Sequence, residues 1–243
     1  MQHAADCRPC SVTIRLPPAQ PLWQYSVMSA VSIRGLVLAG GRSRRFRGTD
    51  KTFITLCGRP LWQHALSAIA PQVDAVAFSR NDAAGQLAAD LQAFRGSVLC
   101  RTGSSPARID VLPDLISGYP GPLAGIHAGL SAWPDCYVAT VAVDLPAIPP
   151  DLVERLYTGL RRGRCAYASD GTRHALALLW APGSAPLLHV FLSQGRRSVR
   201  EWLTAHGDPV LFTAPGEAGL FININTQDDL VAAEHHLRAQ GRC

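Results

Sequence analysis

The distribution of apolar residues predicts alternating strands and helices. Apolar runs at 33–38, 73–79 and 136–143 are typical of buried strands, whereas the apolar residues of 60–70 recur at helical spacing. Residues 82–94, rich in Ala and Leu, predict a second helix. This alternation favours an α/β fold with a doubly wound, mostly parallel, Rossmann-like sheet and helices on both faces. Ligands bind such sheets beyond the carboxyl ends of the strands.

The second half of the chain adds an antiparallel element. Asp170-Gly171 is a strong turn signal between two short apolar runs, 166–169 and 175–180, and predicts a late hairpin. The most strand-like run, 136–143, should be central and buried on both faces. Residues 221–226 read as the last strand, and a capping-box spacing at Thr226 begins the last helix. Further helices are expected over about 122–133, 150–162, 184–194 and 197–206.

Length and composition indicate one catalytic domain. The chain has 243 residues, of which 47% are hydrophobic and 17% charged, so residues 31–243 can bury a sizeable core as one unit. Residues 1–30 lack periodicity, contain four prolines and predict a disordered tail. No apolar run approaches the ~18 residues of a membrane helix, and no secretory signal is apparent, so no membrane association is expected.

The cysteines indicate the cellular compartment, and the charge indicates the kind of ligand. Seven cysteines at irregular spacing do not suggest a disulfide framework, and they favour a reducing, cytoplasmic compartment. The net charge of +5 is compatible with nucleic acid binding, but the basic residues are scattered except in one loop. We therefore expect a phosphorylated small molecule rather than a nucleic acid.

That loop follows the first strand. Gly40-Gly41 breaks the apolar run, and Arg42, Arg44, Arg45 and Arg47 follow within six residues. Glycines let backbone N–H groups approach phosphate oxygens, and basic side chains neutralise the remaining charge. The loop ends at Lys51, the single lysine among 23 basic residues. A compact point charge for a phosphate is the favoured interpretation of Lys51, with chance as the alternative.

Other candidates lie at the ends of predicted strands. Asp144 follows the central strand, where a carboxylate suits Mg²⁺ bridging nucleotide phosphates, although an ordinary turn aspartate remains the alternative. Ser79–Asn81 follow the second strand. His174 in the hairpin is either structural or near a second substrate, and Arg196-Arg197 are either solvated or a contact for an acidic substrate.

Three motifs carry a family resemblance. The loop is neither a Walker motif nor a dinucleotide fingerprint. Residues 38–51, Leu-Ala-Gly-Gly-Arg-Ser-Arg-Arg-Phe-Arg-Gly-Thr-Asp-Lys, instead resemble the signature of the molybdenum cofactor guanylyltransferase family, with Phe46 for Met and Arg47 for Gly. Gly-Pro-Leu-Ala-Gly at 121–125 and Asn-Ile-Asn-Thr at 223–226 are similar to the second and third family signatures.

The resemblance implies a nucleotidyltransferase sheet and an activity. Members transfer GMP from Mg-GTP to the phosphate of molybdenum-molybdopterin and release pyrophosphate, and cofactor-biosynthesis and cofactor-delivery proteins are the implied partners. By match to the motifs, the implied catalytic residues are Arg45, Lys51 and Asp144, with Asp144 holding Mg²⁺. The implied GTP-binding residues are Leu38, Ala39, Gly40, Gly41, Lys51, Ser79, Asn81, Asp114 and Asp144. The second-substrate candidates are Gly125, Asn223 and Asn225.

Two alternatives stay open at this point. A cytidylyltransferase of the same fold would use CTP, but such enzymes usually carry Leu-Ala-Ala-Gly in the loop, so Gly40 favours the guanylyl branch. A non-catalytic cofactor chaperone would retain nucleotide binding without turnover, and the presence of both Lys51 and Asp144 argues against it.

Overall fold

The alternation of strands and helices is confirmed by the computed structural model, which describes residues 31–40, 50–82, 85–94, 98–104, 109–118, 121–214, 217, 220–239, 241 and 243. Its strands are β1 Ile33–Leu38, β2 Thr55–Leu56, β3 Arg59–Pro60, β4 Ala75–Ser79, β5 Asp110–Leu112, β6 Tyr137–Ala142, β7 Cys165–Ser169, β8 Arg173–Trp180 and β9 Gly207–Leu211. Its α-helices are α1 Leu61–Ile69, α2 Gln86–Ala93, α3 Pro122–Ala132, α4 Leu152–Gly159, α5 Ala185–Ser193, α6 Val199–His206 and α7 Gln227–Ala239. Within these ranges no helix has the length and apolar character needed to cross a membrane.

A seven-stranded sheet organises the described residues, in the order β5-β4-β1-β6-β8-β7-β9. Strands β5, β4, β1 and β6 pair in parallel, β8 pairs antiparallel with both β6 and β7, and β9 is parallel to β7. The short strands β2 and β3 form a separate antiparallel pair. The mostly parallel sheet and the late hairpin are therefore confirmed, and β6 is central as expected.

The register of the parallel strands aligns their carboxyl ends. Leu38 of β1 pairs with both Ser79 of β4 and Ala142 of β6, and Ser79 also pairs with Leu112 of β5. The chain runs from β1 outward to β4 and β5 and then returns to the other side of β1 with β6, which is a topological switch point. Residues that follow these four strands consequently meet at one edge, where ligands bind in open α/β sheets.

Helices cover both faces of the sheet, as predicted. On one face α3, α5 and α6 bury an apolar cluster that includes Trp180 and Trp202, both fully buried. The Trp180 Nε1 donates to the Thr140 hydroxyl at 3.2 Å, so its polar atom is paired. On the other face α1 packs Trp62 edge-on against Phe78 of β4. Burial of each such large side chain stabilises the fold by about 1.5–3 kcal/mol.

The prediction for residues 221–226 was wrong. This segment has no strand pairing, and its Ile224 N–H instead donates to the Asp144 carbonyl oxygen at 3.0 Å. Within the seven-stranded sheet, the sequence pattern did not predict the edge strands β5 and β9. Strand β9 contains Pro209. Because β9 is an edge strand, it tolerates a residue that cannot donate to the ladder. The predicted capping box is confirmed, since the Asp229 N–H donates to Thr226 Oγ1 and the Thr226 N–H donates to Asp229 Oδ2.

Two local features also differ from expectation. The sequence pattern of residues 52–56 predicts a short extended segment, but residues 51–53 form a 3-10 turn. The Asp50 carboxylate caps this turn by accepting from the Thr52 N–H at 2.9 Å. Cys57, in the turn between β2 and β3, is joined by a disulfide to Cys243, with 5.1 Å between the Cα atoms. This is one link rather than a framework, and Cys100, Cys136 and Cys165 are free.

Asp208 joins edge strand β9 to the loop after α4 and provides a test of stability. Its Oδ2 accepts from the N–H groups of Arg161, Arg162 and Gly163 at 2.8–3.0 Å. Desolvation acts to raise the pKa of Asp208, but these three donors and the Arg161 charge together lower it from its ordinary value of 3.8. The carboxylate therefore contributes stability above pH 3.8 that is lost as the pH falls through the lowered pKa.

Replacing Asp208 by alanine is expected to reduce the free energy of unfolding by about 1–3 kcal/mol, because three N–H groups lose their acceptor. The loss should be present at pH 7 and shrink below about pH 4, since the parent then loses the same charge. Urea unfolding at both pH values measures it, with Asp135→Ala, at an exposed turn, as the control. Equal stability of parent and variant at pH 7 would contradict this account.

Candidate active site

A cavity of about 610 Å³ opens at the carboxyl ends of β1, β4 and β5. Its volume lies in the range of small-molecule sites. Seven of the predicted site residues line it, namely Leu38, Ala39, Gly40, Ser79, Asn81, Asp114 and Gly125. Five further lining residues were not among the predicted site residues, namely Asp50, Arg80, Asp82, Gly121 and Pro122, although all except Asp82 lie within the segments 38–51, 79–81 and 121–125 that the sequence singled out. Their positions beside strand ends and at a helix start were the available signal.

The end of β1 leaves backbone accessible to a ligand. Ala39 is buried, and its N–H donates to the Ser79 carbonyl oxygen at 3.1 Å, which fixes the strand end. Gly40 is exposed to the cavity. Among the described residues, a methyl group added at Gly40 would have only the Ser79 carbonyl oxygen within 4 Å, at 3.8 Å. The described residues therefore leave space beside Gly40 for a ligand.

The start of α3 forms the opposite wall. Gly121 precedes the helix with φ +84°, a conformation that favours glycine, and no side chain caps the helix there. A methyl group at Gly125 would lie 2.0 Å from the Ser79 hydroxyl, so glycine permits the close approach of α3 to β4. A helix N-terminus presents backbone N–H groups and the positive end of the helix dipole, which suits an anion.

Asn81 and Asp114 form a reciprocal pair at the rim. The Asn81 Nδ2 donates to Asp114 Oδ2 at 2.9 Å, and the Asp114 N–H donates to Asn81 Oδ1 at 2.8 Å. The pair connects the segments that follow β4 and β5, so the structure places both predicted residues together at one side of the cavity.

A charged cluster lies at the ends of β1 and β6. The Lys51 Nζ donates to Asp144 Oδ2 at 3.0 Å and to Asn225 Oδ1 at 2.7 Å. The side chains of Lys51 and Asp144 are each 17% exposed, so their attraction is only partly screened by water. Asp50, next to Lys51, lines the cavity, so the cluster adjoins it.

Asn225 is fixed by its neighbours. Its N–H donates to Asp229 Oδ2 at 2.9 Å, and its Nδ2 donates to Asn223 Oδ1 at 3.0 Å. The backbone donor of Asn225 is the main cause that lowers the pKa of Asp229, and Thr226 adds to it. The cap of α7 therefore holds the Asn225 amide against Lys51.

Asp144 has the features of a cation ligand. Its Oδ1 is buried and has no hydrogen-bond partner among the described residues. An unpaired buried carboxylate oxygen is unfavourable unless a ligand pairs with it. The described residues contain no group of three or more His, Cys, Asp or Glu that could hold a metal without help. This donor set fits Mg²⁺, which commonly takes one or two carboxylates together with substrate phosphates and water.

The remaining candidates are not brought to the cavity by the described residues. Gly41 and Arg45 lie outside the described residues, and of His174 only the backbone pairing with Ala168 is described. Arg196 pairs with Glu201 at 2.7 Å and Arg197 donates to the Leu192 carbonyl oxygen at 2.6 Å. Both arginines therefore contact residues of α5 or α6 next to the loop that connects these helices.

Comparison with known proteins identifies the family. Residues 35–210 match the model of the MobA-like NTP transferase domain. Molybdenum cofactor guanylyltransferases from Yersinia pestis strain Pestoides F and Yersinia pseudotuberculosis serotype O:1b are each 35% identical to this chain over 211 residues, covering 86% of this chain and 98% of the relative.

Solved structures show the same fold. Molybdopterin-guanine dinucleotide biosynthesis protein A from Archaeoglobus fulgidus is 25% identical, with a TM-score of 0.64 over 85% of this chain and 99% of that one. A 4-diphosphocytidyl-2C-methyl-D-erythritol synthase from Anaerococcus prevotii has a TM-score of 0.62 at 13% identity, covering 88% and 99% of the two chains. The chain therefore belongs to the MobA-like NTP transferase family and is a nucleotidyltransferase related to the molybdenum cofactor guanylyltransferases.

Proposed function

We propose that this protein transfers GMP from Mg-GTP to the terminal phosphate of molybdenum-molybdopterin, giving molybdopterin guanine dinucleotide and pyrophosphate. One observation carries the proposal: the Lys51–Asp144 pair adjoins the cavity that Gly40 lines, at the aligned carboxyl ends of the parallel strands. The relatives named molybdenum cofactor guanylyltransferases support the same activity.

The proposed reaction is a single displacement at phosphorus. A phosphate oxygen of the pterin attacks the α-phosphorus of GTP, the bond from that phosphorus to the oxygen bridging to the β-phosphate breaks, and pyrophosphate leaves with the electron pair. The reaction needs no protein nucleophile, because positioning and charge stabilisation account for most of the rate in such transfers. We assign Lys51, together with Arg45, to the neutralisation of the phosphate charge.

The nucleotide is assigned to the cavity. Leu38, Ala39 and Gly40, with Gly41, would approach it through their backbone, and Ser79, Asn81 and Asp114 would contact it from the neighbouring strand ends. The uncapped start of α3 favours the negative triphosphate. Gly125 lines this same cavity, whereas Asn225 contacts Lys51 and Asn223 contacts Asn225. We therefore assign the pterin to the side of the Lys51–Asp144 cluster.

Asp144 is assigned as the protein ligand of Mg²⁺. When bound, Mg²⁺ would withdraw charge from the phosphate oxygens that it contacts. Asp144 would hold the ion with Oδ1, which has no hydrogen-bond partner among the described residues. Lys51 donates to Asp144 Oδ2 and Asn225 Oδ1, and its flexible side chain would turn from these acceptors to the triphosphate when the nucleotide binds.

The cellular setting follows from the proposed substrates. We place the reaction in the cytoplasm and expect cofactor-biosynthesis and cofactor-delivery proteins as its partners.

A nucleotide comparison tests the proposed function. The purified full chain is incubated with molybdopterin and either GTP or CTP, with and without Mg²⁺, and the products are identified by mass spectrometry. We expect the guanine dinucleotide and pyrophosphate with GTP and Mg²⁺ only, because Gly40 stands where cytidylyltransferases usually carry alanine. Efficient formation of the cytosine dinucleotide would instead favour the cytidylyltransferase, and nucleotide binding without any product would favour the chaperone.

A further inference from the structure

We infer that Arg80 is a positioning residue that holds the chain segments on both sides of residues 41–49 and thereby orients Lys51. Arg80 lies within the candidate segment 79–81 but was given no role of its own by the sequence motifs; it directly follows β4 and lines the cavity. The inference rests on the proposed function only where GTP kinetics are used, and one of its tests needs no nucleotide.

Arg80 contacts both sides of the loop. Its Nη1 lies 3.4 Å from the Ala39 carbonyl oxygen, which precedes the loop, and 2.6 Å from Asp50 Oδ2, which follows it. The same nitrogen lies 3.4 Å from the Thr52 hydroxyl. The backbone of Arg80 is fixed in turn, since its N–H donates to the Leu112 carbonyl oxygen at 2.9 Å.

These contacts reach Lys51 through its two neighbours. Asp50 uses Oδ2 for Arg80 and Oδ1 to cap the 3-10 turn that begins at Lys51. Thr52 is buried, and its hydroxyl donates to the Ala39 carbonyl oxygen at 3.3 Å. Lys51 is therefore flanked by two residues that Arg80 ties to the end of β1, so its side chain starts from a fixed position beside Asp144.

The chemistry of the Arg80–Asp50 ion pair suits a phosphate site. The Arg80 side chain is 19% exposed and that of Asp50 is 31% exposed, so both are partly withdrawn from water. Asp50 lines the cavity, and without Arg80 its carboxylate would repel a triphosphate.

The expected kinetic signature follows from this indirect role. Arg80 acts through protein groups, so its loss should not remove a contact to the transferred phosphoryl group. The binding of nucleotide would then have to order the loop ends, bring Lys51 into place and overcome the Asp50 charge. This cost raises KM, whereas kcat stays nearly unchanged because Lys51 is in place once the nucleotide is bound. A residue that contacts the reacting phosphate would instead lower kcat.

The test compares Arg80→Met with the parent in two measurements. Hydrogen exchange without nucleotide, followed by mass spectrometry, should show amides of residues 52–54 exchanging about tenfold faster in the variant, because the turn loses its anchor. Steady-state kinetics with GTP should show KM about tenfold higher and kcat within about threefold of the parent. Arg80→Lys, which keeps a charge opposite Asp50, should recover part of both effects.

Arg101→Met is the matched control. Arg101 forms a similar, partly buried ion pair with Asp74, at 2.7 Å, and Asp74 directly precedes β4. Its loss should change the melting temperature by a similar amount without altering KM or the exchange of residues 52–54. In an Asp50→Asn background, which keeps an oxygen for the cap, Arg80→Met should raise KM by less than about threefold, because the two residues act as a unit.

Three results would overturn the inference. Unchanged exchange of residues 52–54 in Arg80→Met would show that Arg80 does not hold the turn, whatever the nucleotide. A lower kcat at unchanged KM would make Arg80 a direct contact of the reacting group. Equal effects of Arg80→Met in the parent and in the Asp50→Asn background would show that it acts independently of Asp50. Failure of the proposed function would alter the products of the parent and leave the exchange result intact.

Discussion

Replacing Asp144 by asparagine is expected to lower kcat on the order of 10³-fold, about 4 kcal/mol in the activation free energy. The substitution keeps the size of the side chain and an oxygen for Lys51, but it removes the charge that we assign to Mg²⁺. The fold should persist, because the backbone contact from Ile224 is retained. The measurement is the rate of GTP-dependent pyrophosphate release with molybdopterin as acceptor, across a Mg²⁺ titration.

Two further measurements separate a metal ligand from a structural aspartate. Asp170→Asn makes the same chemical change at the exposed hairpin turn and should leave the rate unchanged. Mn²⁺ binding in the presence of a non-hydrolysable GTP analogue, followed by electron paramagnetic resonance, should weaken at least tenfold in Asp144→Asn. If both the Mg²⁺ dependence and the rate equalled those of the parent, the cation would have to bind elsewhere.

The second large effect is expected for Lys51→Arg, which retains the charge and changes only its shape. The Lys51 Nζ fits between Asp144 Oδ2 and Asn225 Oδ1, 3.0 and 2.7 Å away, and the wider guanidinium cannot take that position without moving one of them. We expect a loss on the order of 10²-fold in turnover, about 3 kcal/mol, by analogy with the removal of one preorganised donor. The melting temperature should stay close to that of the parent.

Lys51→Met provides the comparison for this prediction. It removes the charge as well as the geometry and leaves Asp144 without its cationic partner, so turnover should fall by a further factor of about ten. Pyrophosphate release is again the measurement, with GTP binding followed separately by calorimetry. If Lys51→Arg turned over within about threefold of the parent, Lys51 would have no specific role in the mechanism. Its being the single lysine of the chain would then be a coincidence.

Local patterns in the sequence determined the elements and the motif positions. Apolar runs such as 33–38 and 136–143 became buried strands, because a parallel sheet covered on both faces needs continuously apolar strands. The hairpin at Asp170-Gly171 and the capping box at Thr226 also followed from their own residues, since turn and cap chemistry depends on short-range contacts. The same logic placed Asp144 at the tip of the central strand.

Only the tertiary structure decided which distant residues meet. Lys51 contacts Asp144 and Asn225, which lie 93 and 174 positions later in the chain, so no local pattern encodes the cluster. Strand β9 was not predicted because proline is unfavourable within a strand, and only the sheet order shows that β9 lies at an edge, where a residue without an N–H is tolerated. Arg80 is one of 22 arginines in the sequence, and its place against Asp50 follows from the register that sets β4 beside β1. Sequence spacing fixes what each segment forms, whereas strand order and register determine which side chains come within hydrogen-bond distance.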